Sequence, residues 1–173
     1  MSDQPTIDGA TVRLQPIARA VALALLAGRA PGWLRFAAGY PSKFSLEVMD
    51  LLAGARSVEA GVNFTPWFVT RKDNSLVVGE MGHGLDEASG TATLGYSIVE
   101  PSWGLGYATD GLRALLEHLH GDPRVRLMQA RTPVEHHASR RVMEKAGMRL
   151  SGQLLEEVDG GLVELVVYEM ASR

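Results

Sequence analysis

Apolar and polar residues alternate along this chain with two different periods, and the changes of period mark its elements. Thr11-Val12-Arg13-Leu14-Gln15 alternates as a strand, after which Ile17, Ala20, Val21, Ala24 and Leu25 recur at helical spacing until Gly28 stops the run. The pattern then breaks around Pro31, Gly32, Gly39 and Pro41, and Phe44 to Leu52 reads as a second helix capped by Ser42 or Ser45. Pro66 to Thr70, Leu76 to Met81 and Thr91 to Val99 read as three strands of a meander, the last with Ala92, Leu94, Tyr96 and Ile98 on one face. The connection from Gly82 to Gly90 is polar and glycine-rich and reads as a mobile loop. Ala108, Gly111, Leu112, Leu115, Leu116 and Leu119 form one helical stripe closed by Gly121 and Pro123. Val125 to Arg131 follows as a strand, Ala138, Val142 and Ala146 mark a helix ending at Gly147, and two final alternating runs meet in a hairpin at Asp159-Gly160-Gly161. This order predicts an α+β fold with a mixed, mostly antiparallel sheet of about seven strands and flanking helices.

A length of 173 residues suits one domain, here residues 1–173, with a sizeable core. Hydrophobic residues at 46% and charged residues at 21% are those of an ordinary globular protein. The formal charge of −3 is scattered, with no basic stripe for a nucleic acid backbone, so no nucleic acid partner is expected. Without cysteine there is no disulfide, thiolate metal site or cysteine nucleophile. Met1 to Pro5 has no basic flank leading into an apolar run, and the apolar stretch Ala18 to Ala27 is only about half a membrane span, so a cytoplasmic protein is expected, with no membrane partner. A homodimer is the common outcome for such a chain.

The chemically informative stretch is Trp103-Gly104-Leu105-Gly106-Tyr107-Ala108, a glycine loop at the start of the best-marked helix. A helix leaves its first N–H groups unpartnered and carries partial positive charge there, and glycines let an anion approach the backbone. The N–H groups from Gly104 through Thr109 could cradle a diphosphate, or the glycines could simply admit close strand–helix packing. A dinucleotide fingerprint would need glycine at position 109, where Thr109 stands, and a triphosphate loop would need a lysine that Gly106-Tyr107-Ala108 lacks.

The run Gly95 to Asp110, with His136-His137-Ala138-Ser139 and Glu144-Lys145-Ala146-Gly147-Met148, resembles the GNAT superfamily, and within it the RimJ/RimL-type N-acetyltransferases. The resemblance implies a GNAT-like sheet with a V-shaped split between its fourth and fifth strands, Thr91–Val99 and Val125–Arg131. It implies acetyl-CoA as cosubstrate, its pyrophosphate on Gly104, Leu105, Gly106, Tyr107, Ala108 and Thr109. Its pantetheine arm would pair with the backbone of Ser97, Ile98 and Val99. Two departures stand out: Trp103 begins the loop where Arg or Gln is common, and His136 stands where the family usually has Asn, a position from which histidine can still donate one hydrogen bond.

Acetyl transfer to a primary amine needs a base for the attacking amine and a proton for the departing thiolate. Glu80, ending the apolar run Leu76-Val77-Val78-Gly79, is the candidate base, with a solvent-facing strand glutamate as the alternative and His83, Asp86 and Glu87 as fallbacks. The tyrosine that many family members place on the helix after the fifth strand is here Met143. Ser139 is the residue that the resemblance offers for contact with the leaving sulfur and the cofactor. Arg140, Arg141 and Lys145 either reach a CoA phosphate or simply decorate a helix, and Trp33, Phe36 and Tyr40 either pack at the core edge or line an acceptor pocket. The acceptor's identity would be set by Trp33 to Lys43 and Gly82 to Gly90. The His118/His120 and His136/His137 pairs lack metal-ligand spacing, so no metal is expected. Two rival readings remain at this level: a non-catalytic acyl-CoA-binding or regulatory domain, and a serine hydrolase using His136 and Ser139 without the usual nucleophile elbow.

Overall fold

The computed structural model describes residues 4–54, 62–158 and 160–173. Its elements are β1 (Ile7–Asp8), β2 (Val12–Pro16), α1 (Arg19–Leu26), β3 (Arg35–Phe36), α2 (Lys43–Ala53), β4 (Val62–Arg71), β5 (Leu76–Asp86), β6 (Thr91–Ile98), α3 (Tyr107–His120), β7 (Leu127–Pro133), α4 (His137–Lys145), β8 (Arg149–Val158) and β9 (Gly161–Ala171). The strands form one mixed sheet in the order β1-β2-β4-β5-β6-β7-β9-β8, with β3 added in parallel to β5. The expected α+β class and mostly antiparallel sheet are present. The sheet has nine strands instead of seven, because β1 and β3 are two-residue pairings too short to leave a period in the sequence. No helix among the described residues is long and apolar enough to cross a membrane. Met1 to Asp3 and the hairpin residue Asp159 lie outside the described residues.

The one parallel pair on the main path decides the architecture. β6 and β7 are in register only from Thr91 opposite Leu127 to Leu94 opposite Ala130, although β6 runs on to Ile98 and β7 to Pro133. Beyond Leu94 the strands part, and this is the expected V-shaped split. The two arms are held from outside, β6 by its antiparallel ladder with β5 and β7 by its ladder with β9.

The helices cover the two faces unequally. Leu112, Leu115, Leu116 and Leu119 of α3 pack with Met143 of α4 against Val12, Leu14, Met81, Leu94 and Met128 in the larger core. Helix and sheet approach closely there, since a Cβ on Gly111 would stand 2.5 Å from the Met81 terminal carbon. On the opposite face α1 and α2 bury Val21, Leu25, Val48 and Met49 against Phe68 and Val77. α2 starts on a reciprocal cap in which Ser45 N–H donates to the Ser42 hydroxyl and Ser42 N–H to the Ser45 hydroxyl, and it stops at Gly54 in the left-handed region.

The Gly82 to Gly90 stretch, expected as a loop, is mostly strand. Gly82, His83, Gly84, Leu85 and Asp86 pair with β4 on one side and β6 on the other, and only Glu87 to Gly90 turns. Gly82 serves close strand packing: a Cβ there would lie 2.5 Å from the Thr65 carbonyl oxygen and 2.9 Å from the Pro66 Cα. A glycine that admits a neighbouring backbone and one that bends a turn read alike in sequence.

The start of α3 is fixed by Asp110. Its carboxylate accepts from the N–H groups of Ala10 at 2.9 Å, Thr11 at 2.6 Å and Val12 at 3.0 Å, and from the Thr11 hydroxyl at 2.8 Å. Partial burial pushes its pKa up, and these hydrogen bonds outweigh that and hold it below the ordinary aspartate value. A depressed carboxylate stabilises the fold above the unfolded pKa, and that contribution is lost as pH falls through the folded one. Asp110→Ala is expected to lower stability by about 2 kcal/mol at neutral pH, read by urea unfolding, with a smaller difference from wild type in acid.

Candidate active site

The loop that opens α3 has the backbone the glycines were expected to supply. After a short 3-10 turn, Glu100–Ser102, the chain passes Gly104 at φ 74° and Gly106 at φ 83°, both in the left-handed region. Gly106 is the N-cap and offers no side-chain cap, so the first N–H groups of α3 find no side-chain acceptor there. Nothing lies within 4 Å of where a Cβ would stand on Gly104 or Gly106. That unobstructed backbone at the positive end of a fourteen-residue helix fits a diphosphate. Leu105 is exposed, and the Tyr107 ring lies 5.5 Å from the Arg71 guanidinium.

The split lies beside this loop, and strand alternation decides which backbone groups face it. Val99 N–H donates to the Val78 carbonyl at 2.9 Å, so the Val99 N–H and, two residues earlier, the N–H and C=O of Ser97 turn toward β5, while the Val99 carbonyl accepts from Ser102 N–H at 2.9 Å in the turn that follows. The groups of Tyr96 and Ile98 therefore point into the split, where β7 has already left. Of the three residues expected to pair with pantetheine, only Ile98 faces the gap; the backbone of Ser97 is used within the sheet and that of Val99 by the sheet and the following turn, and Tyr96 takes the second place. The Ile98 carbonyl accepts from the Trp103 indole N–H, so the aromatic residue that departs from the common loop pattern caps one wall of the split.

Glu80 approaches the split from the α2 face. Between Val69, opposite Gly79, and Thr70, opposite Val77, the β4–β5 register slips by one, leaving Val78 as a bulge two residues before Glu80. Glu80 stands opposite Ser97 and is 1% exposed, and neither carboxylate oxygen has a hydrogen-bond partner among the described residues. Burial pushes its pKa up to about 7, while the nearby Ser45 and Tyr40 hydroxyls pull it back down. It is thus not a solvent-facing strand residue. Tyr40, stacked on Phe36 at 4.9 Å, packs beside it, and its own pKa is raised by burial and by the Glu80 charge.

Ser139 approaches from the other face, in the first turn of α4. Its hydroxyl lies 2.9 Å from that of Tyr96, which also donates to the Ser139 carbonyl at 3.0 Å. Burial pushes Tyr96 up to about 12, with the Ser139 contact pulling down, so it stays a protonated donor at neutral pH. Tyr96 escaped the sequence reading because it fell in step with the apolar stripe of β6; a hydroxyl within that stripe was the available signal. Met143, in place of the family tyrosine, is fully buried.

The remaining candidates separate cleanly. His136 caps α4 with its Nδ1 3.2 Å from the Thr132 hydroxyl and forms no hydrogen bond with Ser139, so the hydrolase pairing is not assembled. His83 is buried on the α3 face, stacked at 5.8 Å on Trp67, and burial lowers its pKa to about 4. Asp86 accepts from Ala88 N–H and the Ser89 hydroxyl and shapes the turn, and Glu87 lies 3.6 Å from Arg124. Arg140 is held by the Val134 carbonyl and the Tyr168 hydroxyl. Trp33 is 73% exposed and Phe36 packs at the edge of the smaller core. No cluster of potential metal ligands occurs among the described residues.

Residues 12–149 match the family model described as the acetyltransferase (GNAT) domain. No curated protein sequence matches the chain. Among solved structures, the ribosomal L7/L12 alpha-N-protein acetyltransferase RimL in complex with coenzyme A superposes with a TM-score of 0.72 at 19% identity, covering 96% of this chain and 98% of its own. A GNAT-family acetyltransferase from Bacillus anthracis gives 0.70 at 16% identity, with 97% and 99% covered. An enzyme from Salmonella typhimurium that modifies the N-terminal serine of L7/L12 gives 0.69 at 18%, with 94% and 95% covered. At these identities the structures speak for the fold.

Gly106→Val tests the cradle. It is expected to abolish acetyl-CoA binding in calorimetry, while the left-handed backbone lowers stability by only about 1–2 kcal/mol; unchanged affinity would remove the loop from the cofactor site.

Proposed function

The chain belongs to the GNAT acetyltransferase family, so it transfers an acetyl group from acetyl-CoA to an amine, and we propose that Glu80 takes the proton of that amine while Ser139, held by Tyr96, supplies one to the thiolate. The observation that carries this reading is a buried carboxylate without a hydrogen-bond partner among the described residues, beside a slot through the sheet, with a pKa near the working pH of a general base.

The residues divide the reaction between the two faces. Acetyl-CoA brings a thioester, with its pyrophosphate on the backbone of Gly104 through Thr109 and His136 as a further donor at the cap of α4. The Tyr96 and Ile98 N–H groups line the gap where the carbonyl oxygen gains charge. The amine arrives on the Glu80 side and gives its proton to that carboxylate as the N–C bond forms. When the C–S bond breaks, the thiolate takes the Ser139 hydroxyl proton, the Tyr96 O–H turns from the Ser139 carbonyl to refill Ser139, and solvent returns a proton to Tyr96 as it removes the one left on Glu80. The partial positive charge at the start of α4 favours the thiolate there.

The acceptor we propose is the terminal amine of a protein, in the cytoplasm. It is supported by the RimL-type structures, which are named for that chemistry, and by an acceptor-side cavity far larger than a simple amine needs.

Glu80→Gln is expected to lower kcat/KM for the amine roughly 100- to 10,000-fold with acetyl-CoA affinity unchanged. In wild type, kcat/KM should rise through an acid limb near pH 7 that the variant lacks. Because the folded pKa lies above the ordinary 4.5, stability falls as pH rises through that window, and Glu80→Gln should flatten the fall. Tyr96→Phe should reduce kcat about tenfold, the worth of one hydrogen bond, with little change in KM for acetyl-CoA. Equal loss in kcat and in cofactor affinity would make Tyr96 merely structural.

A further inference from the structure

On the Glu80 face of the sheet lies a cavity of about 860 Å³ that α1 and α2 leave uncovered. Its floor is the surface of β5 and β6, where Glu80, Gly82, Gly84 and Asp86 alternate onto one face and Thr91, Thr93 and Gly95 face the same way from across the ladder. Gly82 pairs with Gly95, and Gly84 with Thr93, so the middle of the floor is nearly bare of side chains. A Cβ on Gly95 would point toward the Phe44 ring at 3.8 Å, so the missing side chain keeps the passage under α2 open. One wall is apolar, made by Phe44, Val48 and Phe64. The other is polar, with Gln129, Arg131 and Glu156, and there Arg131 is already engaged by Gln129 at 3.1 Å and Glu156 at 3.4 Å.

Two dimensions set what this groove can hold. From Glu80 to Asp86 the strand rises roughly 20 Å, the reach of about six residues of extended chain. The volume lies in the upper part of the roughly 300–1,000 Å³ occupied by sites for drug-sized ligands, so a lone small amine would leave most of it to water. Because β5 is paired with β4 and β6 along this stretch, and β6 is paired on both sides from Thr91 to Leu94, a guest lying over Gly82 to Asp86 cannot add itself as a strand there and must be recognised by the walls.

We propose that the groove reads the acceptor beyond its reactive amine: it seats an extended peptide with the amine at Glu80 and about six residues running toward Asp86, and Phe44, Val48 and Phe64 select an apolar side chain behind the amine. This rests on Glu80 marking where the amine reacts. Recognition is one-sided, an apolar residue toward α2 and polar residues toward β7 and β8.

The test is an acceptor series with acetyl-CoA: glycinamide, a hexapeptide of Gly and Ser with a free amine, and the same hexapeptide with Leu placed in turn at positions two to four. One Leu hexapeptide is expected to exceed glycinamide in kcat/KM by at least about tenfold and the Gly/Ser peptide by about fivefold, the worth of one apolar side chain partly buried. Thr93→Phe, which fills the floor over Gly84 away from Glu80, should lower the Leu-peptide value at least about tenfold and leave glycinamide within about twofold; the glycinamide rate also reports that the variant is folded. Glycinamide used as well as every peptide, or equal losses on both acceptors in Thr93→Phe, would overturn the inference and leave acetyl transfer standing. Silence toward every amine, with acetyl-CoA still bound, would overturn the reading of Glu80 and this inference together.

Discussion

The parting of β6 from β7 after the Leu94–Ala130 pair is the constraint on which the rest of the site depends. A sheet normally separates its two faces completely, because every backbone group within it is paired. Here four matched pairs give way to a slot, so the Tyr96 backbone groups and the Ile98 N–H face it along one edge, outside the sheet ladder. In the proposed reaction the slot lets groups on opposite faces act on one bond, since Glu80 lies on the α2 face and Ser139 in the first turn of α4. Separation by the sheet keeps the proposed base and acid from neutralising each other, and it gives acceptor and cofactor different entrances.

Holding such a slot open takes support from outside it. The antiparallel ladders β5–β6 and β7–β9 anchor each arm, and α3 and α4 bridge them through the larger core. The Tyr96–Ser139 contact ties β6 to the helix that follows β7 and so spans the two arms directly. Asp110 performs a related service at the other end of the cofactor face. By gathering the Ala10, Thr11 and Val12 N–H groups it locks the turn between β1 and β2 to the first turn of α3, immediately behind the loop proposed to cradle the diphosphate. A helix start that carried its own capping side chain would compete with the anion, and Gly106 has none.

How much of this could be read from sequence follows from the range of each signal. The loop at Gly104 and Gly106 was legible because a left-handed backbone and a helix start are local demands that glycine answers visibly. Glu80 was legible as a carboxylate closing an apolar run, although its burial depends on Tyr40, Ser45 and α2, which are distant in sequence. Misjudged features were those where one residue type serves two physical ends. Gly82 and Gly84 resembled turn glycines and instead clear space within a sheet, which also concealed the groove they floor. Ser97 and Val99 lie at the right strand end, but whether their backbone groups face the split depends on ladder parity, and that is settled only by the Val99–Val78 pairing across strands. The bulge at Val78 leaves no mark beyond two adjacent valines.

That bulge explains why a charged residue is tolerated at such depth. Val77 belongs to the core under α2 and Val78 to the core under α3, so without the bulge strict alternation from Val77 would have turned Glu80, three residues on, toward the apolar side chains of the α3 core. Re-aimed, it lies between the hydroxyls of Tyr40 and Ser45, which partly offset its desolvation without pairing it with a cation. A salt bridge in that place would have held the carboxylate ionised but lowered its basicity, and a wholly apolar pocket would have kept it protonated at neutral pH. The intermediate environment leaves its pKa near neutrality, where a carboxylate can both exist as a base and pull a proton from an amine. In the proposed reading, the floor beyond it, nearly bare where Gly82 meets Gly95, is what admits a long acceptor to that one group.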